Sequence, residues 1–296
     1  MRDVDRPGEV PGFPADRFDP TCGGAFFKSD IYVAFSDSNR KLAVRSSATS
    51  VGSVPDVSLF YFPAMAVFND MLYVAFQSGD YTNLLYYMTY DGANWSQAQV
   101  VPGVITDYSP AMAVWDSNGE NKLYLAHSGS ERTGTRNTLW YTTFDGENWT
   151  TDTQVPDVSM KTSPGMAFYN RLLYVAFQRL DGALIWRTFD GHVWSGDRGI
   201  PGASMSGSPS MVTWTDGLSL AYSNTNEPDK NGQFCQTDNE GDGWTQPYTL
   251  LPAANQPYGY PIYPGSSPLL VPGQDGSDSW VSLVSSDPNG EPVMPD

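Results

Sequence analysis

The chain has 296 residues, with 16 Lys and Arg against 33 Asp and Glu, which gives a net charge of −17. Proteins that bind nucleic acid or anionic membranes neutralise phosphates with basic side chains, so this balance argues against both partners. Aromatic residues make up 14% of the chain, which excludes wholesale disorder. No apolar run approaches the ~18 residues of a membrane-spanning helix, and the polar residues 1–19 lack the pattern of a signal peptide. We expect a soluble protein, with secretion or a cytoplasmic location left open.

A repeated segment runs through the chain. Clear copies begin at Tyr61 (YFPAMAVFNDMLYVAFQ), Tyr108 (YSPAMAVW) and Thr162 (TSPGMAFYNRLLYVAFQ), and a weaker copy begins at Gly207 (GSPSMVTW). Two eroded copies extend the series at both ends, so that the anchor positions lie 40 to 59 residues apart: Gly23, Pro63, Pro110, Pro164, Pro209 and Pro268. Four short strands in each unit of ~40–50 residues are typical of a β-propeller.

Each repeat contains four strand-like segments in a fixed order. The first, PxMAVF, has small residues around its Met, as expected of an innermost strand near a crowded axis. The second is YVAFQ, the third is LYYMTY or IWRTF, and the fourth is a short run around VPG. An Asp-Gly pair such as Asp91-Gly92 joins the third and fourth segments and predicts a two-residue type I′ hairpin. A Trp follows each pair, and we expect these Trp side chains to be structural.

The two ends of the chain are predicted to meet. The last copy has room for about three strands, and Gly8–Gly12 (GEVPG) matches the fourth-strand pattern. We therefore predict an all-β fold: a six-bladed β-propeller with four-stranded antiparallel blades, in which the N-terminal strand joins the last blade and closes the ring. Residues 1–296 would form this single domain. The alternative is that residues 1–19 form a disordered tail.

The blade LYVAFQRLDGALIWRTFDGHVWSGDRGIPGASMSGSPSM resembles blades of sugar-binding propeller lectins. The pattern is similar to the bacterial fucose-binding propeller family typified by a Photorhabdus lectin, and in outline to fungal fucose-specific lectins and tectonins. The Photorhabdus-type family is seven-bladed, whereas this chain has six repeats. The fungal lectins match that number but match the motif less well. The resemblance implies a lectin-like function, with several inter-blade sites for fucose- or galactose-type glycans or glycoproteins.

Candidate ligand-binding residues follow from what a sugar needs, which is an aromatic face for its C–H surface and planar polar groups for its hydroxyls. The third strands supply aromatic residues, and the second strands end in polar ones. The best single cleft combines Gln178, Arg179, Trp186 and Arg187 with an aromatic residue of a neighbouring blade. Further candidates are Gln77, Tyr87, His127, Trp140 and Tyr141. Alternatively, most of the rings form inter-blade core, Arg187 pairs with a carboxylate, and His127 is a satisfied core histidine.

Other functions are weaker but remain open. No cofactor is expected; the oxygen-rich segment Asp116–Asn121 leaves calcium possible, although a solvated hairpin loop is favoured because the twelve-residue calcium loop is missing. A glycoside hydrolase would need a pair of carboxylates about 5–10 Å apart, and Asp80, Asp107, Glu131 and Asp152 are non-repeated acids of this kind. A protein-interaction scaffold is the third reading, and no catalytic residue is assigned.

Overall fold

The computed structural model describes residues 7–8, 23–37, 39–46, 51, 54–117, 119–214, 217–224, 234–239, 243–249, 269–275, 278–286 and 292–295. The regular secondary structure of these residues is β-strand, apart from one 3₁₀ turn at Glu131–Thr133. Within this part of the chain no helix is long and apolar enough to cross a membrane. The strands are β1 (Pro7–Gly8), β2 (Gly23–Phe27), β3 (Asp30–Ser36), β4 (Leu42–Ser46), β5 (Ala64–Phe68), β6 (Met71–Gln77), β7 (Leu84–Tyr90), β8 (Gln99–Ile105), β9 (Ala111–Ser117), β10 (Glu120–Ser128), β11 (Leu139–Phe144), β12 (Thr153–Gln154), β13 (Gly165–Tyr169), β14 (Leu172–Gln178), β15 (Ala183–Phe189), β16 (Arg198–Trp214), β17 (Gly217–Asn224), β18 (Phe234–Asn239), β19 (Tyr248–Thr249), β20 (Leu269–Asp275), β21 (Asp278–Ser286) and β22 (Pro292–Pro295).

The strands form antiparallel sheets in which neighbours along the chain are neighbours in space. The sheets are β2-β3-β4, β5-β6-β7-β8, β9-β10-β11-β12, a seven-stranded sheet β13 to β19, and β20-β21-β22 with β1. The long strand β16 belongs to two units, because it pairs with β15 through its first half and with β17 through its second. We call each of these three- or four-stranded units a blade. The all-β, antiparallel prediction is confirmed.

The chain termini pair with each other. Pro7 lies opposite Pro295 and Gly8 lies opposite Met294, so that β1 is the outer strand beside β22. The sequence pattern predicted a terminal strand at Gly8–Gly12, and residues 9–12 of that prediction lie outside the described residues.

Hydrophobic clusters fill the spaces between consecutive blades. On β7, Met88 packs with Val44 and Phe76 towards the β2–β4 blade. The adjacent side chain on the same strand, Tyr87, packs with Met112 and other residues of the β9–β12 blade. Alternation along a strand sends successive side chains to opposite faces, so each blade contributes one face to each neighbour. Complete burial of a ring such as Phe76 stabilises the packed blades by about 1.5–3 kcal/mol.

The aromatic residues of the repeat form the same group at three junctions. In each group the second-strand Tyr stacks on the third-strand aromatic residue, and the Trp of the following blade meets that ring edge-on. The groups are Tyr73–Tyr87–Trp149, Tyr124–Tyr141–Trp194 and Tyr174–Trp186–Trp244, with stacked centroids 5.8–6.3 Å apart and edge contacts of 5.4–5.8 Å. Edge-to-face and offset pairs are favourable beyond area burial. These Trp residues therefore join blades as well as covering their own hairpins.

The predicted type I′ turn at Asp91-Gly92 is wrong. Gly92 alone has positive φ (98°), and the Asp91 carboxylate accepts hydrogen bonds from the backbone N–H groups of Ala93 (2.7 Å) and Asn94 (2.6 Å). These two donors lower the pKa of Asp91. The loop is four residues long and closes where Trp95 pairs with Tyr90.

Two-residue turns with positive φ at both positions instead join the first and second strands. They lie at Lys28–Ser29, Asn69–Asp70 and Asn170–Arg171. Asn and Asp adopt this left-handed conformation more readily than other side chains do, which explains Asn69–Asp70.

The innermost strands of adjacent blades touch through their backbones. A Cβ added at Gly165 would lie 2.7 Å from the carbonyl oxygen of Pro209 in the next blade, which explains the small residues near the anchor prolines. Ser hydroxyls link the segments just before these strands, because Ser109 Oγ accepts from the N–H of Phe62 (2.9 Å) and Ser163 Oγ accepts from the N–H of Ser109 (3.0 Å). Gly23 pairs as Ala64 does, so it corresponds to the residue after the anchor proline and not to the anchor itself.

Candidate ligand-binding cleft between two blades

The predicted glutamines are buried supports of the blade junctions. The amide nitrogen of Gln77 donates to the carbonyl oxygen of Thr106 (2.6 Å), and that of Gln178 donates to the carbonyl oxygen of Met205. In both blades the accepting carbonyl belongs to the residue just after the part of the fourth strand that pairs with the third strand. The glutamine therefore holds the segment that connects this blade to the next one. Their side chains are 2% and 4% exposed, which leaves little surface for a ligand.

Trp186 and Arg187 do not share a cleft. They are consecutive on β15 and point to opposite faces, as strand alternation requires. Trp186 packs with residues of β16 and β17, and the guanidinium of Arg198 lies 5.0 Å from its ring centre. Arg187 turns towards the preceding blade, so the structure separates two members of the predicted cleft.

Arg187 is a buried tie between two blades. Its Nε donates to Asp197 Oδ1 (2.6 Å), its Nη1 to the carbonyl oxygen of Pro156 (2.6 Å) and its Nη2 to that of Asp157 (2.7 Å). All three guanidinium nitrogens therefore have acceptors, two of them in the β9–β12 blade. A buried charge needs this complete set of partners. The alternative in which Arg187 pairs with a carboxylate describes what the structure shows.

Arg179 forms an exposed pair with Asp181. Its Nη2 and Nε lie 2.6 and 3.0 Å from the two carboxylate oxygens. The guanidinium holds the pKa of Asp181 at about 2, well below its ordinary value, and the carboxylate raises the pKa of Arg179. The pair lies at the blade rim, where both groups remain open to solvent.

His127 and Trp140 occupy one face of the β9–β12 blade. His127 is 1% exposed; its Nδ1 donates to the Ser128 carbonyl oxygen (2.8 Å), and its Nε2 lies 3.0 Å from Asp152 Oδ1. Trp140 is half-buried and its Nε1 donates to Thr138 Oγ1 (2.8 Å). The imidazole thus has partners at both nitrogens, as expected of a satisfied core histidine. Tyr87 and Tyr141, the remaining candidates, stack within the inter-blade aromatic groups.

A cavity of about 290 Å³ lies between the β2–β4 blade and the β5–β8 blade. Its volume is close to the lower end of the ~300–1,000 Å³ typical of small-molecule sites. We call it the β4/β6 cleft. Its lining is mainly apolar with a few polar groups: Val57, Ser58, Phe76, Ser78, Gly79, Asp80, Tyr86 and Ala98.

Local structure holds the walls of this cleft in place. Phe76 and Tyr86 lie opposite each other on β6 and β7, with stacked rings 6.1 Å apart at 15°. At the other wall the N–H of Gly79 donates to the carbonyl oxygen of Ser58 (2.8 Å). A Cβ at Gly79 would lie 2.8 Å from Ser58 Cβ, so only glycine permits this approach.

Asp80 supplies the cleft with a fixed negative charge. Its Oδ1 accepts from Thr82 Oγ1 (2.6 Å) and from the N–H of Thr82 (3.0 Å). The side-chain hydrogen bond from Thr82, followed by that from Ser78, lowers the pKa of Asp80. The carboxylate is therefore ionised at neutral pH and oriented, which suits it to accept hydrogen bonds from a neutral ligand.

The repeat places different residues at the corresponding junctions. The positions of Phe76 and Tyr86 are those of His127 and Trp140 in the next blade, since both pairs lie directly opposite across the second and third strands. Ala98 corresponds to Asp152. Each comes one residue before the partner of the third-strand Tyr, which pairs as Tyr87 with Gln99 and as Tyr141 with Thr153. In the β13–β16 blade the same positions are occupied by Phe177, Ile185 and Asp197. The junctions share a scaffold and differ in lining.

Sequence reasoning proposed Tyr87 and Tyr141 as ligand contacts, whereas the structure packs both rings between blades. Tyr86, one residue before Tyr87 on β7, was not among the candidates, and only the fold shows that it lines a cavity. Asp80 was considered only as a hydrolase acid. Among the described residues no group of three His, Cys, Asp or Glu side chains is placed to hold a metal ion.

Comparison with known proteins identifies the architecture. No protein-family profile matches the sequence, and no curated protein matches it. A point mutant of the Aleuria aurantia lectin, solved in complex with Fucα1-6GlcNAc, superposes with a TM-score of 0.67 at 14% identity, covering 92% of this chain and 90% of that one. This chain is a β-propeller.

Two further structures agree with that fold. The Aleuria aurantia lectin described as a six-bladed β-propeller with a novel fucose recognition mode gives a TM-score of 0.66 at 14% identity, covering 93% of the propeller and 90% of the lectin. AofleA from Arthrobotrys oligospora gives 0.64 at 13% identity, covering 94% and 83%. The predicted similarity to fungal fucose-specific lectins is confirmed at the level of fold. At these identities the likeness does not extend to individual binding residues.

Proposed function

We propose that this propeller is a lectin that binds carbohydrates between its blades, with fucose- or galactose-type glycans or glycoproteins as partners. The observation that carries the proposal is the β4/β6 cleft, which combines the ring of Tyr86 with the oriented carboxylate of Asp80. Solved propellers of similar fold that bind fucosyl sugars support it.

The chemistry of the cleft suits a neutral sugar ring. The C–H face of a pyranose is apolar and packs against an aromatic ring, whereas its hydroxyls need hydrogen-bond partners inside the site. Tyr86 offers the ring, Asp80 accepts from two hydroxyls, and the hydroxyls of Ser58 and Ser78 can donate or accept. Small-molecule sites commonly have this form, with an apolar lining and a few placed polar groups. The net charge of −17 disfavours anionic glycans.

We further propose a closed ring of six blades with several related sites. The pairing of β1 with β22 supports closure, and the four-strand pattern of the blades supports the count. Within that ring Trp140 and Arg179 contribute to the junctions of their own blades, whereas Gln77, Gln178 and Arg187 hold the junction walls. Several weak sites on one rigid body would bind multivalent glycans by avidity.

A glycoside hydrolase is the alternative. A Bacteroides ovatus protein, xyloglucan PUL GH43B, gives a TM-score of 0.51 at 14% identity over 81% of this chain but only 52% of its own length. Hydrolysis needs a general acid with a raised pKa. In the described part of the chain, the carboxyl groups with shifted pKa values shift downward: Asp80, Asp91, Asp145, Asp181 and Asp190. This favours binding over turnover.

Calorimetric titration tests the proposal. The wild-type protein is titrated with methyl α-L-fucoside and methyl β-D-galactoside, and the same protein is assayed for release of nitrophenol from the corresponding glycosides. We expect binding of at least one sugar without turnover, and loss of binding at this cleft in Tyr86→Ala and Asp80→Asn. Glu147→Gln, which removes an exposed carboxylate in a distant turn, is the matched control and should bind normally. Turnover, or binding indifferent to both cleft variants, would overturn the proposal.

A further inference from the structure

A cluster of two exposed side chains, Arg40 and Tyr81, and the half-buried Phe60 borders the β4/β6 cleft. The rings of Phe60 and Tyr81 have centroids 4.6 Å apart at 59°, and the guanidinium of Arg40 lies 5.6 Å from the centre of the Phe60 ring. We call these three residues the rim platform. Two blades contribute to it, because Arg40 precedes β4 whereas Tyr81 follows β6.

The Tyr81 side chain is presented to solvent at a conformational cost. It is 70% exposed, the most exposed of the large apolar side chains that the structure describes, and its backbone has φ of 63°. A side chain with a Cβ disfavours this left-handed region. Residues held in strained backbone conformations occur preferentially at ligand-binding positions. The Asp80 carboxylate, which accepts from the N–H of Thr82, closes a turn around Tyr81, and the Tyr81 ring packs on Phe60 at the surface instead of entering the core.

The rim platform is continuous with the cleft. Leu59 pairs with Ser78 across the junction, and the N–H of Gly79 donates to the carbonyl oxygen of Ser58. Phe60 follows one of these wall segments and Tyr81 follows the other. A ligand that fills the cleft and extends past Asp80 therefore meets the platform next.

The polar part of the platform also suits a sugar. Arg40 is exposed, and no carboxylate among the described residues forms an ion pair with its guanidinium. A guanidinium offers five N–H donors in a planar fork that matches neighbouring hydroxyl oxygens. Its position over Phe60 restrains the side chain, which reduces the entropy lost on binding.

We propose that the rim platform is a second subsite, so that this junction takes a glycan of at least two sugars. The inner sugar occupies the cleft, and the outer sugar stacks on Tyr81 with its hydroxyls towards Arg40. This inference rests on the proposed carbohydrate-binding function. It adds a preference for oligosaccharides over single sugars.

The test compares two probes, methyl α-L-fucoside and the disaccharide Fucα1-6GlcNAc, by calorimetric titration. Wild-type protein should bind the disaccharide more tightly. Tyr81→Ala should weaken disaccharide binding about three- to tenfold, the range expected for one aromatic contact, and leave the monosaccharide unchanged. Tyr81→Phe keeps the ring and should keep the affinity for both. Tyr248→Ala, which removes another exposed tyrosine on the β16–β19 blade, is the control and should match wild type.

The outcomes separate this inference from the function on which it rests. If wild-type protein binds the monosaccharide and Tyr81→Ala weakens both probes equally or neither, the second subsite is refuted while the lectin proposal stands. If wild-type protein binds neither probe, both are refuted for fucosyl glycans. Unfolding curves of each variant identify a loss of affinity that arises from misfolding, and Arg40→Ala provides an independent second measurement with the same expected pattern.

Discussion

Replacing Arg187 by Met tests whether this residue joins blades or binds ligand. Met fills a similar volume but removes three hydrogen bonds, two of which reach carbonyl oxygens in the preceding blade. Removing one partner of a buried ion pair costs about 3–5 kcal/mol. Because Asp197 is 29% exposed and can be rehydrated, we expect a loss near the lower limit, about 3 kcal/mol.

The assay is thermal and denaturant unfolding followed by circular dichroism, with sugar titration on the same samples. At about 2–4 °C per kcal/mol for a large single-domain chain, the melting temperature should fall by about 6–12 °C. The matched control is Arg179→Met, because Arg179 forms an exposed pair whose loss should change stability little. If Arg187→Met keeps the wild-type stability but loses sugar binding, the assignment of Arg187 as an inter-blade tie is refuted.

Three further substitutions probe other parts of the fold. Gly79→Ala forces Cβ against Ser58 and should reduce sugar affinity at the cleft at least tenfold in titration with modest destabilisation; unchanged affinity would contradict the cleft geometry. Burial raises the pKa of Tyr124 to about 12, so its neutral phenol stabilises the fold fully below pH 10 and the contribution is lost between pH 10 and 12. Wild type should therefore lose about 1–3 kcal/mol more than Tyr124→Phe over that window in urea unfolding, and parallel curves would refute this. Ser109→Ala leaves the N–H of Phe62 without its acceptor and should cost about 1–3 kcal/mol of unfolding free energy; no loss would mean that water replaces the hydroxyl.

Repetition made the architecture predictable. Four strands per unit follow from apolar segments in a fixed order, and these were found wherever the repeat was clear, as in β5–β8 and β9–β12. A short VPG match near the N-terminus predicted that the chain ends meet; the structure pairs Pro7 and Gly8 with the last strand, whereas residues 9–12 lie outside the described part of the chain. Both inferences rest on short sequence patterns that recur from one copy of the repeat to the next.

The turns and the cleft were harder to predict because they depend on small differences between copies. The Asp-Gly pair predicted a two-residue type I′ turn. The Asp91 carboxylate instead accepts hydrogen bonds from the N–H groups of Ala93 and Asn94, and the loop is longer. The predicted cleft joined Trp186 to Arg187, although adjacent strand residues point to opposite faces. The alternation of side chains could have excluded that pairing from sequence alone. The selection of Tyr86 over Tyr87 needed the positions of neighbouring blades.

Sugar binding at the β4/β6 cleft is the central claim, and nuclear magnetic resonance of the protein with methyl α-L-fucoside tests it most directly. Saturation transfer from wild-type protein to the sugar ring protons should be strong, as expected for a pyranose lying on Tyr86. The signal should fall in Tyr86→Ala and persist in Glu147→Gln. Absence of transfer in wild type, or equal transfer in Tyr86→Ala, would contradict the account.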